Sequence, residues 1–499
     1  SACHSITAKV KLGPGLGGIN DSREEAWLIS WIRDSKAVLA SGDEDAKAIF
    51  EEYAMEMSAF PDLTDDDIKG LFIRASSFGM TPASAEEIRL AIKDFKSSGK
   101  FVVTHAQGFE TTNFTGYMAV SASDEIWQQD TTGFSVAGIR SEVGFYGGVL
   151  EKFGAQAQIE QFHEYKSAAN AYNQKDFTEA HRESTTALLT SLYDVGVAHI
   201  AEDRGMSPAD VTAKFMQAPH SAESALEAGF IDKLGHLEAA QEYARTKAGG
   251  KTIKFKPIMS YDYDKPVTGP AIAFIGGQGA VVNGSSSDGS NPFSNEVTMG
   301  GDTIARAITS AAKDKNVKAI VFRVSSPGGS PSASDQIHDA VARAQEAGKP
   351  VVISMGQYAA SGGYYVAANA DKIVAMPTTI TGSIGVLGGK IAFEDTFAKV
   401  GYNVEGISVG GPMANAYSGD TPWNQEQLKM FTDQMEDIYV DFTTLVAEGR
   451  GLPIERVREI AKGRVWTGEQ AKDIGLVDEL GGIMKAIEVA RDLGGIEPD

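Results

Sequence analysis

Cysteine is almost missing from this sequence: Cys3 is the only one in 499 residues. One thiol can neither close an intrachain disulfide nor build a cysteine metal site. Long apolar runs are missing too, since no stretch reaches the 18 or more apolar residues that a membrane-spanning helix needs. Positive charge is scarce. With 45 basic against 67 acidic residues the formal charge is −22. No basic run or aromatic-interleaved basic patch offsets it, so polyphosphate is repelled and nucleic acid is not an expected partner. Histidine occurs eight times, and no pair has the H-x-x-x-H or H-E-x-x-H spacing of a zinc site. The glycine-rich Gly13-Pro14-Gly15-Leu16-Gly17-Gly18 lacks the G-K-[ST] of a phosphate loop and the G-x-G-x-x-G of a dinucleotide site, and reads as a flexible turn. No metal or organic cofactor is therefore expected. What is there is a globular balance, 42% hydrophobic and 22% charged, in a chain long enough for two or more domains.

The chain repeats itself. SSFGMTPASAEEIRLAIKDFKSSGK (Ser76 to Lys100) runs parallel to SSPGGSPSASDQIHDAVARAQEAGK (Ser325 to Lys349), with Gly348 standing 249 residues after Gly99. Further on, Tyr117 to Trp127 matches Tyr364 to Val374 at an offset of 247, so the first copy carries a two-residue insertion. Two matches in the same order argue for duplication. Val317–Val324 and Pro350–Met355 are short, β-branched apolar runs bounded by turn signals, the pattern of buried parallel strands. Between them Ile337, Ala340, Val341 and Ala344 fall at helical spacing, with Ser332 or Ser334 as N-cap and Gly348 past the end. Strand, helix, strand predicts crossover units on mostly parallel sheets, an α/β fold in tandem. The expected division is an N-terminal segment 1–60, a first repeat 61–250, a linker 251–269 and a second repeat 270–499. Within 1–60, Ile6–Leu12 reads as a strand and Glu24 to Met57 as helical stretches.

Two glycine-rich turns in the second copy follow apolar strands. In Ser325-Ser326-Pro327-Gly328-Gly329-Ser330 the paired glycines can take positive φ, and backbone N–H groups at the start of a helix can hold an oxyanion. In Ala359-Ala360-Ser361-Gly362-Gly363-Tyr364-Tyr365 a serine among small residues passes from strand to helix with room for a carbonyl beside its hydroxyl. It does not fit the G-x-S-x-G elbow of the α/β-hydrolases. Each turn taken alone could be a plain turn with a capping serine. The repeat sharpens the choice: Ser361 falls on Phe114, Gly362 on Thr115 and Gly363 on Gly116, while Gly328 matches Gly79 and Gly329 matches Met80. The first copy keeps the scaffold without the hydroxyl, which points to one active site per chain.

PGGSPSASD, AASGGYY and TGSIGV (Thr381–Val386), in that order and on a duplicated layout, resemble the signal peptide peptidase A family in its long two-repeat form, also called protease IV. The resemblance covers roughly Asp65 to the C-terminus. It implies tandem ClpP/crotonase-like domains and a Ser/Lys dyad, with Ser361 as nucleophile and Lys166, in Tyr165-Lys166-Ser167-Ala168, as general base. It also implies that Ser383 stands beside the lysine amine. Gly328 and Gly329 are the expected oxyanion donors. The sequence departs from the family where His163 and Glu164 replace the usual glycine before Tyr-Lys, and where Ala171-Tyr172 replaces proline-phenylalanine. Ile159, Phe162, Tyr165, Ala168 and Ala169 are able to desolvate the Lys166 amine, and a lysine acts as a base only when neutral. Glu160 and Glu164 would oppose this if they faced it. Histidine is the usual partner of a serine nucleophile, and His105 and His163 are the rivals to test.

The resemblance further implies hydrophobic peptides, chiefly cleaved signal peptides, as substrates. It implies a homotetramer, and membrane association at the periplasmic face of a bacterial inner membrane through an N-terminal anchor or lipid. Ser1-Ala2-Cys3 is similar to the end of a bacterial lipoprotein signal. Two other readings of the fold stand beside this one: a crotonase-type acyl-CoA hydratase or hydrolase, which needs neither Lys166 nor Ser361, and an inactive scaffold.

Overall fold

The computed structural model describes residues 68–75, 79–111, 114–258, 269–290 and 295–497. Cys3, the turn Gly13–Gly18, the strand Ile6–Leu12 and the helical stretches of 24–57 lie outside the described residues, as does 259–268 of the expected linker. Among the described residues no helix is long and apolar enough to cross a membrane. Both repeats belong to one compact unit, Gly70–Ala248 with Val267–Asp499.

The first repeat holds β1 (Gly70–Arg74), β2 (Phe101–Ala106) and β3 (Glu125–Gln128), all parallel. The strand that follows in the chain, β4 (Gln156–Phe162), leaves this sheet, and β5 (Lys233–Leu234) completes it in the order β1-β2-β3-β5. The second repeat opens with β6 (Ala271–Gln278) and a small sheet of β7 (Ala280–Val282), β8 (Ser287–Asp288) and β9 (Val297–Gly300). Its main sheet adds β10 (Val317–Ser326), β11 (Val351–Ala360), β12 (Lys372–Ala375) and β13 (Ile380–Gly382). Past β14 (Val386–Ala392), β15 (Val465–Thr467) and β16 (Glu479–Leu480) close the edges. Every pairing in this sheet is parallel except β13 with β15. This is the expected crossover architecture, duplicated.

The helix between β10 and β11 runs Pro331–Glu346 and buries Ile337, Ala340, Val341 and Ala344 against the sheet, as their spacing predicts. Its N-cap is Ser330 rather than Ser332 or Ser334; the Ser330 hydroxyl accepts from the Ala333 N–H at 3.3 Å. Pro331 decides this. It has no N–H to lose at the first helical position, and its fixed φ starts the helix there. Pro82 begins the corresponding helix Pro82–Ser97 of the first repeat.

Duplication extends to the buried polar skeleton. Asp232 accepts from the Ile126 N–H at 2.8 Å, and 246 residues later Asp478 accepts from Ile373 N–H at 2.7 Å. Arg204 pairs with Asp232 at 2.6 Å and Arg450 with Asp478 at 2.8 Å. The buried hydroxyls of Tyr117 and Tyr364 donate to the carbonyls of Phe230 (2.7 Å) and Leu476 (2.8 Å). Leaving a polar group unpaired in the interior is costly, so these matched pairs favour one packing for each copy. The copies are joined by similar means. Glu86, 1% exposed, accepts from the Thr378 N–H at 2.9 Å and from His199 Nε2 at 2.6 Å, and Glu87 pairs with Arg323 at 2.6 Å.

Candidate active site

β11 is buried for almost its whole length and ends at Ala360; Ser361 follows it with a left-handed backbone, φ 53° and ψ −122°. A non-glycine residue there is strained by roughly 1–3 kcal/mol. Neighbours hold it in place: the Ser361 N–H donates to Gly382 O at 2.9 Å, and the Ser361 carbonyl accepts from Tyr364 and Tyr365 at 2.8 and 2.9 Å. Among the described residues only two other non-glycine residues have positive φ, Ser383 at 51° and Lys462 at 55°. Ser361 and Ser383 both bond the amine of Lys166, and the Lys462 carbonyl accepts from the turn that precedes it.

Lys166 belongs to the first repeat and reaches the second by strand pairing. β4 lies antiparallel to β14, with Phe162 opposite Val386 and Ala157 opposite Ile391. Lys166 lies four residues beyond Phe162 and Ser383 three before Val386, so continuing the two strands past their paired ends brings these residues together. The Lys166 Nζ donates to Ser361 Oγ at 3.0 Å, Ser383 Oγ at 3.0 Å and Ser383 O at 2.8 Å. The residue is 5% exposed. Burial lowers the amine to about 7 from its ordinary 10.5, because an ammonium loses its hydration and finds no carboxylate among its bonded partners. Glu164 turns away and pairs with Lys462 at 3.0 Å.

Facing the serine is the first glycine turn. Gly328 has φ 104° and Gly329 φ 153°. A Cβ on Gly328 would stand 2.7 Å from Ser361 Cβ, so only glycine allows this approach. The Gly328 N–H is already engaged, donating to Ser326 Oγ at 3.2 Å; its part is to admit the turn rather than to offer a donor. Among the described residues the N–H groups of Gly329 and Gly362 have no partner. They are close together, since a Cβ on Gly362 would stand 3.1 Å from Gly329 N. Gly362 was not among the expected site residues. Its signal was position, directly after the serine at the start of the helix Gly362–Tyr365, where N–H groups lack helical acceptors.

Neither rival histidine bonds the serine. His105, on β2 in the first repeat, directs Nε2 to Gly235 O at 3.3 Å. The ring of His163 packs edge-on against Tyr439 with centroids 4.8 Å apart, and its carbonyl accepts from the Lys166 N–H at 3.0 Å. His163, which stands where the family commonly has glycine, thus shapes the turn carrying Lys166 through its main chain. Sequence reasoning also missed Gly463, whose φ of 80° and lack of a side chain let the backbone lie against Lys166: a Cβ there would stand 2.5 Å from Lys166 Cβ. Nothing near Gly463 in the sequence resembles a motif.

The description "Peptidase family S49" matches this chain twice, over residues 94–251 and 343–497. Protease 4 of Salmonella typhi is 34% identical over 449 residues, covering 86% of this chain and 70% of that protein. The chloroplastic serine protease SPPA of Arabidopsis thaliana is 30% identical over 87% of this chain and 64% of its own length. This chain thus spans about two thirds of these relatives. A solved ClpP1 mutant from Listeria monocytogenes is similar at 14% identity and a TM-score of 0.28, covering 43% of this chain and 94% of that one.

Proposed function

This chain belongs to peptidase family S49 and is a serine protease of the signal peptide peptidase type, and from that premise we propose that Ser361 is its nucleophile and Lys166 its general base. One observation carries the assignment: the buried Lys166 amine stands 3.0 Å from Ser361 Oγ. With its proton affinity lowered to about 7, a substantial fraction of the amine is neutral at physiological pH. Neutral Lys166 takes the proton of Ser361, and Oγ attacks the peptide carbonyl. The N–H groups of Gly329 and Gly362 receive the oxyanion. The resulting ammonium returns its proton to the leaving amine, leaving an acyl-enzyme. Lys166 then activates the water that releases it. Ser383 aims the amine through its hydroxyl and carbonyl. The strained backbone at Ser361 keeps Oγ directed at the lysine.

Substrates on this reading are extended hydrophobic peptides, chiefly cleaved signal peptides, handled at the periplasmic face of a bacterial inner membrane. A homotetrameric ring, attached through an N-terminal anchor or lipid, would admit them and exclude folded proteins. Light scattering tests the ring: a fully active species with the mass of one chain removes it. Hydrolysis of a hydrophobic peptide tests the pair. Ser361→Ala and Lys166→Ala should each abolish turnover to similar extents, because groups acting as one unit do not contribute additively. Retained activity in Lys166→Ala, with loss in His163→Ala or His105→Ala, overturns the base.

A further inference from the structure

The base comes from the first repeat and the nucleophile from the second, so something must hold the lysine against the second repeat. The three residues Lys462-Gly463-Arg464, between the helix Ile454–Ile460 and β15, touch every part of its seat. The Lys462 carbonyl accepts from both the His163 and Tyr165 N–H groups at 3.1 Å, gathering the turn that precedes Lys166. Gly463 lies against the Lys166 backbone and donates its N–H to Ile384 O at 2.8 Å. The Arg464 carbonyl accepts from the Ser383 N–H at 2.7 Å, on the residue that bonds the amine twice.

Arg464 also works through its side chain. Its guanidinium lies 4.9 Å from the Tyr165 ring and 4.5 Å from the Trp466 ring. It makes a two-pronged pair with Glu183 of the helix Glu179–Arg204, at 2.9 and 2.8 Å. This planar fork spans the repeats: Glu183 and Tyr165 come from the first, Trp466 and Ser383 from the second. A lysine has neither the fork nor the flat face. We propose that Arg464, fixed by Glu183, is a positioning residue for the general base, locking the Tyr165-Lys166 turn and Ser383 into the geometry in which the amine reaches Ser361. The inference rests on Lys166 being that base.

Its consequence is read in the pH profile. The charged and titratable groups around the seat are Arg464 with Glu183, Lys462 with Glu164, and the rings of Tyr165, His163 and Tyr439. Loosening the seat lets water reach the amine and raises its proton affinity, because burial is what holds it down.

The test measures kcat, KM and the acid limb of kcat/KM in the full chain for Arg464→Lys and Glu183→Gln, with active sites counted by a fluorophosphonate. We expect kcat per active site to fall about tenfold or more with KM changed less than about twofold, since small misplacements act on the chemical step. The acid limb should move up by about one pH unit, so that part of the activity returns at high pH. Glu183 is half exposed, so Glu183→Gln keeps the test open if the arginine variant does not fold. A lower count of active sites with unchanged kcat per site and an unmoved acid limb means that the clamp only supports folding, and overturns the proposal. Wild-type activity and an intact acid limb in Lys166→Ala would instead remove the base, and the proposal with it.

Discussion

The two repeats hold the same turn on the same skeleton and use it differently. In the second, a strained Ser361 follows β11, and the N–H groups of Gly329 and Gly362 face it without partners among the described residues. In the first, Phe114 takes the place of Ser361, is 3% exposed, and packs against Tyr193 and Phe215 with ring centroids 5.5 and 6.1 Å away. Thr115 takes the place of Gly362. Its hydroxyl accepts from the Met80 N–H at 3.4 Å and donates to Met80 O at 2.8 Å. Met80 stands where Gly329 stands in the other copy. The donor that would serve an oxyanion in one repeat is thus satisfied by a side chain in the other, and the space for a nucleophile is filled by an aromatic ring. The first turn is packed as core, while the second keeps donors open and a backbone strained. The first repeat still contributes, because it carries Lys166.

Breaking the comparison at its centre should have the largest effect. Ser361→Ala is expected to lower kcat by about 10⁴-fold or more, leaving only what the oxyanion donors and binding supply; a residual rate near wild type in a peptide-hydrolysis assay would remove Ser361 from the mechanism. Next comes importing the first copy's residue, Gly362→Thr. A Cβ there meets Ser334 Oγ at 2.6 Å and crowds Gly329 N, so the oxyanion site is spoiled and kcat should fall about 10²–10³-fold. Full activity with an unchanged melting temperature would show that the open N–H groups do not matter.

Phe114→Ala works in the opposite sense. It should cost about 3–5 kcal/mol of stability by opening a cavity beside Tyr193 and Phe215, seen as an earlier denaturant midpoint, while kcat per folded molecule is kept. Lys166→Met should abolish turnover yet raise stability at neutral pH. The folded-state proton affinity of Lys166 lies below its unfolded value, so between about 7 and 10.5 the unfolded chain holds a proton that the folded chain lacks. Stability therefore falls as pH drops through that window and stays reduced below it; methionine removes a penalty on the order of a few kcal/mol. The smallest effect is expected from Thr115→Gly, about 2 kcal/mol of destabilisation in a thermal melt from a glycine in a helix and the loss of the two bonds to Met80, with no new reactive site.

How much of this was legible in the sequence depended on whether a feature is local. The parallel strands and the helix Pro331–Glu346 could be read because β-branched runs and 3.6-residue spacing are local signals, whereas the turn at Ser361, ambiguous by itself, was singled out by comparison with the other copy and by the resemblance. Lys166 could not be found by spacing, since 195 residues separate it from Ser361; it came through resemblance, and only the pairing of β4 with β14 explains why the two meet. Gly362 and Gly463 were passed over because a free N–H or a close approach leaves no side chain to notice. The N-cap was placed too late because Pro331 outweighed the serines that follow it. Gly328 looked like a donor, but its N–H is taken by Ser326, a contact within the turn that the motif does not reveal.

The central claim is that one serine, served by one neutral lysine, does the chemistry. It is tested most directly by following fluorophosphonate labelling as a function of pH, with the adduct mapped by mass spectrometry. The account predicts a single adduct on Ser361, a labelling rate that drops as pH falls through about 7 as Lys166 takes up its proton, and no labelling in Lys166→Met. An adduct in the first repeat, or a Lys166→Met variant labelled at the wild-type rate, would contradict it.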